Sequence, residues 1–147
     1  MLSMKAKYAL RALIVMARNE EKMFTSKSIS DVADLPQRFL DNILQELRRE
    51  GLVDSKRGIF GGYFLAKPSS EIMIGDLIRM IDGPLAPIRC ASMTAYQKCD
   101  DCPDENACEI RGLMLEVRNA IVNVLENKSL HDLTLNEKAL EFEKINY

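Results

Sequence analysis

The sequence predicts a mainly α-helical protein with one small β-hairpin, and three observations carry that prediction. Apolar residues return at three- and four-residue intervals in five separate stretches, the pattern of helices with one buried face. A single segment, residues 52–66, instead sets two short apolar runs on either side of a glycine-rich tip. A polar stretch, residues 90–108, holds all four cysteines of the chain and has little to bury. With 147 residues and 47% hydrophobic content, the chain can bury a genuine core without disulfide stapling.

A first helix is expected from about Lys5 to Asn19, with Leu10, Leu13, Ile14 and Ala17 on one face. Thr25 or Ser26 then offers an N-cap for a short second helix through Ile29, Val32 and Ala33, closed by Leu35-Pro36. The fixed φ and missing N–H of Pro36 suit the first turn of a third helix, through Phe39, Leu40, Ile43, Leu44 and Leu47 to Glu50, stopping at Gly51. Three helices joined by short turns make a helix-turn-helix shape, and the hairpin after Gly51 turns it into a winged helix. Ile74, Leu77, Ile78 and Ile81 give one more helix, ended by Asp82-Gly83-Pro84. Ile110, Met114, Val117, Ile121 and Val124 then step as a heptad seam, widened by Leu113, Ala120 and Leu125. That is more apolar surface than a peripheral helix needs; the plain reading is packing on its own domain, and the sharper one is pairing with a second copy, since a winged domain of about 65 residues offers little surface to cover it. From Leu130 the pattern weakens into a polar tail.

Composition narrows the function classes. There is neither a signal-peptide pattern nor an apolar run of about 18 residues, so a cytoplasmic protein with no membrane partner is expected. Reducing conditions there turn the cysteines toward metal ligation or redox chemistry. Through Lys67 twelve Lys and Arg stand against eight Asp and Glu, a balance of +4; from Pro68 onward it is eight against fourteen, or −6. The N-terminal half is where a polyanion would be met.

In a helix-turn-helix, the N-terminal end of the second helix of the pair enters the major groove. Here that end carries Gln37, Arg38, Phe39, Asp41 and Asn42. Arg suits guanine, Gln and Asn suit adenine, and Asp accepts from the cytosine amino group; the bland alternative is the wet face of an amphipathic helix. At the hairpin tip, Lys56 and Arg57 precede Gly58, and Gly61 and Gly62 follow, so that cations and closely approaching amides meet phosphates or a minor groove. Lys5, with Lys7 and Arg11, would add phosphate contacts from the first helix, the alternative for each being a solvated charge, and Ser26 is counted with the DNA-facing set.

Cys90, Cys99, Cys102 and Cys108 are separated by eight, two and five residues. The Cys99–Cys102 spacing occurs in zinc and iron-sulfur sites alike, and the absence of a second close pair suits an iron-sulfur cluster better. A disulfide switch between two of the four stays open. His131 reads as a surface residue. No catalytic constellation appears, so an enzyme is not expected.

Tyr8-Ala9-Leu10-Arg11-Ala12-Leu13, Leu47-Arg48-Arg49-Glu50-Gly51-Leu52-Val53, the run Arg57-Gly58-Ile59-Phe60-Gly61-Gly62-Tyr63-Phe64-Leu65-Ala66 and the later cysteines together resemble the Rrf-type regulators, the family of IscR, NsrR, RirA and CymR. The resemblance runs from residue 1 to about 133. It implies homodimeric winged-helix transcription factors on palindromic double-stranded DNA operators, many with a 2Fe-2S or 4Fe-4S cluster in the cysteine loop. The commonest cluster pattern has three cysteines separated by five residues each. Cys102 and Cys108 keep one such interval, Cys90 matches only across a longer insertion, and Cys99 is additional. Some members take a histidine three residues after the last cysteine, where Arg111 stands here; others take an acidic residue in the first helix, near Lys7 here. Four-cysteine ligation is the economical expectation. Phe39 sits where the family often has tyrosine, and Asp41 and Asn42 where glutamate and glutamine are frequent.

The resulting expectation is a winged helix-turn-helix over residues 1–83, a cysteine-rich sensor loop over 84–108, a dimerisation helix over 109–133 and a tail over 134–147. Its function is that of a DNA-binding transcriptional regulator, a repressor, sensing iron-sulfur, redox or nitric oxide status through a cluster, 2Fe-2S ahead of 4Fe-4S. The alternatives are a cluster-free thiol sensor, a zinc-stapled DNA-binding regulator, and an iron-sulfur electron-transfer or scaffold protein.

Overall fold

The computed structural model describes residues 2–135. Of the expected tail, residues 136–147 lie outside them. Helix α1 (Met4–Ala17) buries Ala6, Ala9, Ala12, Leu13 and Met16, and its small alanines let neighbouring helices approach closely. Helix α2 (Ser26–Ala33) is capped by Thr25, whose hydroxyl accepts from the Ser28 amide at 3.0 Å. It ends on Asp34 in the left-handed conformation, φ 50°. Pro36 is the N-cap of α3 (Gln37–Arg49), one residue before the first helical position expected of it. Leu40, Ile43, Leu44 and Leu47 form the buried face of α3. The helix stops in a Schellman motif, with the Leu52 amide donating to the Leu47 carbonyl at 2.9 Å and the Gly51 amide to the Arg48 carbonyl at 3.1 Å. Gly51 holds φ 73°, the left-handed conformation that this stop requires.

Strands β1 (Val53–Lys56) and β2 (Gly62–Leu65) pair antiparallel, with Val53 opposite Leu65 and Lys56 opposite Gly62. Tyr63 also exchanges both backbone hydrogen bonds with Phe24, at 2.9 and 2.7 Å, which anchors the hairpin to the segment entering α2. Gly62 makes this approach feasible: its φ is 151°, and a Cβ there would lie 2.7 Å from the Phe24 carbonyl oxygen. Gly62→Ala is therefore expected to destabilise the fold by about 1–3 kcal/mol, read as a lower thermal midpoint. An unchanged midpoint would mean that the bridge is not held as described.

Contacts group α1, α2, α3 and the hairpin with residues 129–135 as one compact unit. In it, the short helix α6 (Leu130–Thr134) packs on α1, and buried Leu130 donates its amide to the Ile72 carbonyl at 2.7 Å. Met73–Lys128, with residues 2–3, form the second unit. It holds α4 (Ile74–Asp82) and α5 (Glu109–Leu125) around the cysteine segment. The helix expected over 109–133 is thus two elements. Asn127 donates back to the Asn123 carbonyl at 2.7 Å, and Ser129 with Asp132 forms a capping box that starts α6 afresh.

Helix α5 has no buried residue. Met114, Ile121 and Leu125 are half-covered, whereas Ile110, Leu113, Val117, Ala120 and Val124 are exposed. The open stripe therefore runs through Leu113 and Ala120, rotated from the expected seam, because Met114 and Ile121 face their own unit. Gly75 of α4 meets the C-terminal end of α5, where a Cβ would stand 3.2 Å from Glu126 and 3.3 Å from the Leu125 backbone. Arg79 ties the same end through Glu126 and pairs with Asp76 at 3.0 Å.

Candidate nucleic-acid interface and cysteine site

With its apolar face buried, α3 presents its opposite side to water. Gln37, Arg38, Phe39 and Asn42 are exposed there, with Gln45 one turn further on. Gln45 escaped the sequence reading, although its spacing of four from Asp41 and three from Asn42 places it on the same strip. Asp41 is half-buried and accepts a hydrogen bond from the Ser26 hydroxyl, which ties the start of α2 to α3. Those two residues, expected as DNA contacts, are thus joined to each other, and Ser26 serves to orient Asp41. Lys5 is not a free cation either: its ammonium pairs with Glu46 at 2.6 Å. Arg48 sits 3.4 Å from Asp54, linking α3 to β1.

At the hairpin tip Lys56, Arg57 and Gly58 are exposed, and Gly61 and Gly62 are half-buried. The Gly61 amide donates to the Gly58 carbonyl at 3.0 Å and closes a four-residue turn. A Cβ on Gly61 would stand 2.0 Å from the Lys56 carbonyl oxygen, so glycine is required there. Together α3 and the tip give a polar helix face and a cationic turn on one compact unit.

In the second unit, all four cysteines line a single cavity of roughly 470 Å³, among Ile88, Pro103, Ala107, Ile110 and several acidic groups. All four are free thiols; Cys90 is buried, Cys102 and Cys108 half-buried and Cys99 exposed. A hydrogen bond between Cys99 and Cys90, then burial and the neighbouring Cys90 charge, push the Cys99 thiol above its ordinary value. Burial, followed by the charge of Cys108 and a hydrogen bond with it, does the same for Cys102. Among the described residues, no three His, Cys, Asp or Glu side chains stand close enough together to hold a metal ion. Four soft donors around one cavity fit a cluster in kind and in number, although they are not drawn together as in a preformed single-ion site.

Arg111, seen in the sequence only as the place where a histidine is missing, bridges the two ends of this segment. Its guanidinium Nε donates to the Cys90 carbonyl at 3.1 Å, and its amide donates to the Cys108 sulfur at 3.4 Å, so that Cys108 caps α5. Tyr96 donates to the Glu105 carboxylate, which raises the phenol's pKa and cross-ties the loop between the first and last cysteines. Arg89 adds a bond to Gln97 at 2.6 Å. No periodicity signals such loop-internal ties, because they depend on the path of an irregular backbone.

Comparison with known proteins places these features. Residues 2–136 match the family model described as Rrf2, iron-dependent transcriptional regulator. An Rrf2-like HTH-type transcriptional regulator of Rhodobacter capsulatus is 42% identical over 137 residues, covering 90% of this chain and 91% of that protein. CymR of Bacillus subtilis, an HTH-type transcriptional regulator, is 33% identical, covering 90% and 88% respectively. Among solved structures, CymR, the global cysteine regulator of B. subtilis, superposes with a TM-score of 0.77 at 32% identity, covering 92% of this chain and 96% of that one. IscR of T. potens gives 0.72 at 26% identity, covering 100% and 93%. The expected mainly α fold with a small β-wing is the fold of these winged-helix neighbours.

Proposed function

We propose, since the chain belongs to the Rrf2 family of transcriptional regulators, that it is a homodimeric repressor of palindromic DNA operators, acting in the cytoplasm, whose affinity depends on an iron-sulfur cluster held by Cys90, Cys99, Cys102 and Cys108. The observation that carries the cluster reading is the convergence of all four thiols on one cavity. When bound, such a group supplies iron that responds to oxidants, nitric oxide and iron shortage. The chain's own residues do the rest. Cys108 caps α5 and Arg111 ties it to Cys90, so order in the cysteine segment fixes the start of α5. The same helix bears the exposed stripe from Ile110 to Val124, which supports a dimer contact along it. A dimer sets the distance between two recognition helices, and that distance decides whether both half-sites are met at once.

The four free thiols on one cavity also support a second reading, a cluster-free sensor in which two of them are oxidised to a disulfide by peroxide. Anaerobic purification followed by visible absorption and by iron, sulfide and zinc analysis separates the two. Brown protein with matched iron and sulfide supports the cluster, whereas colourless protein that reconstitutes with neither leaves the thiols to act alone. Zinc without sulfide would establish a structural metal instead.

The DNA side is tested independently. Arg57→Ala is expected to weaken binding across all sequences and to lower the slope of log affinity against log salt by about 1, because one phosphate contact is lost. A changed base preference with an unchanged slope would move Arg57 from backbone contact to base readout.

A further inference from the structure

We propose that Ile59 and Phe60, at the tip of the hairpin, form an apolar wedge that enters a minor groove and partly unstacks one base step of bound duplex DNA. The proposal rests on the DNA-binding reading above and adds to it a contact that charge and hydrogen bonding do not supply.

Ile59 and Phe60 are 95% and 92% exposed, whereas the next most exposed large apolar side chain among the described residues, Met93, is at 74%. A single exposed apolar residue needs no explanation. Two adjacent ones at the centre of a turn do, because glycine, asparagine, aspartate and serine serve that position locally and gain hydration there. The turn also holds them outward. The Gly58–Gly61 hydrogen bond closes it, φ of 118° at Gly58 bends the chain, and Gly61 has no room for a side chain. Two bulky residues thus project from a rigid support, while the residues on either side of them are kept small.

The charge around the tip names the occupant. From Ser55 to Gly62 the chain has Lys56 and Arg57 and no acidic residue. Asp54, just before, lies against Arg48. An apolar tip behind a collar of cations suits a surface that is anionic outside and apolar within, which describes a duplex whose base faces lie beneath its phosphates. A wedge between base steps kinks the duplex toward the major groove, so binding depends on how easily the flanking step unstacks.

The test uses full-length protein and a palindromic duplex that the wild type selects from a randomised pool, with 2-aminopurine placed in turn at each adenine. Wild-type binding is expected to brighten one flanking position in each half-site. Phe60→Ala should leave that position dark, bind roughly tenfold more weakly, and keep the wild-type salt slope, since no cation is removed. Its thermal midpoint should match the wild type, because the side chain touches little of the fold. Ile59→Ala should show the same pattern to a smaller degree. Wild-type binding with every position dark would overturn the wedge, as would brightening that survives Phe60→Ala. A changed oligomeric mass in Phe60→Ala would also overturn it, by placing the tip against a second copy. Failure of the wild type to select any duplex would instead remove the DNA-binding reading on which the wedge depends, a result distinct from tight binding without unstacking.

Discussion

Val117→Glu is expected to yield a monomer that binds a palindromic operator about 100-fold or more weakly, since about 2.7 kcal/mol corresponds to that factor and burying two unpaired carboxylates costs at least as much. Val117 lies mid-way along the exposed stripe of α5, with Leu113 and Ala120 beside it. A symmetric contact repeats a central residue on both sides of its axis, so one substitution places two charges in the interface. The fold of the single chain should survive, because Val117 is already open to water in it. Sedimentation equilibrium reads the mass, and titration of a half-site duplex gives the control: half-site affinity should stay near that of the wild type while the full operator loses its advantage. Glutamate at Met114, half-covered by its own unit, should lower stability more than association. A variant at Val117 that stays dimeric would move the contact off this stripe.

That stripe also shows where the sequence was legible and where it was not. The spacing of Ile110, Val117 and Val124 announced a helix with an apolar seam, yet periodicity alone leaves open whether Met114 or Leu113 completes it. The answer is tertiary: in the folded chain Met114, Ile121 and Leu125 are half-covered while Leu113 is open. The winged unit was more readable, because its signals are local: Thr25 caps α2, Gly51 stops α3, and the glycines of the tip stand where the turn needs them. Ser26 and Asp41 were both marked as DNA contacts from their positions in sequence. Their hydrogen bond to each other spans fifteen residues and appears only once α2 and α3 are packed. Likewise Lys5 looks free until Glu46 is brought against it. Polar residues on helix faces advertise themselves; which of them already have partners is a tertiary fact. For the cysteines, the intervals of eight, two and five suggested the Cys99–Cys102 pair as the nucleus of a site. The irregular backbone between Cys90 and Cys108 brings the other two thiols to the same cavity, which the intervals alone do not show.

On the proposed cluster reading, Cys102→Ser is expected to lower iron and sulfide content at least as far as the ~10–100-fold loss of metal affinity that follows removal of a mere supporting contact, since a proposed ligand itself is removed. Cys102 is the informative choice because it is half-buried, lines the cavity and faces Cys108. A hydroxyl in its place leaves the turn in which the Cys102 amide donates to the Cys99 carbonyl at 3.4 Å undisturbed, so the backbone of the segment is retained. Operator affinity measured anaerobically on reconstituted protein should then equal that of the wild type stripped of metal, whichever of the two wild-type forms binds DNA more tightly. Cys99→Ser sharpens the result, because Cys99 is exposed and is the thiol that the three-cysteine pattern lacks. Retained iron after that change, beside lost iron in Cys102→Ser, would reduce the ligand set to three cysteines and a fourth donor. Unchanged metal content and unchanged operator affinity in Cys102→Ser would end the cluster reading. A peroxide response that vanishes in Cys102→Ser, with no iron in either protein, would hand the same residues to the dithiol reading.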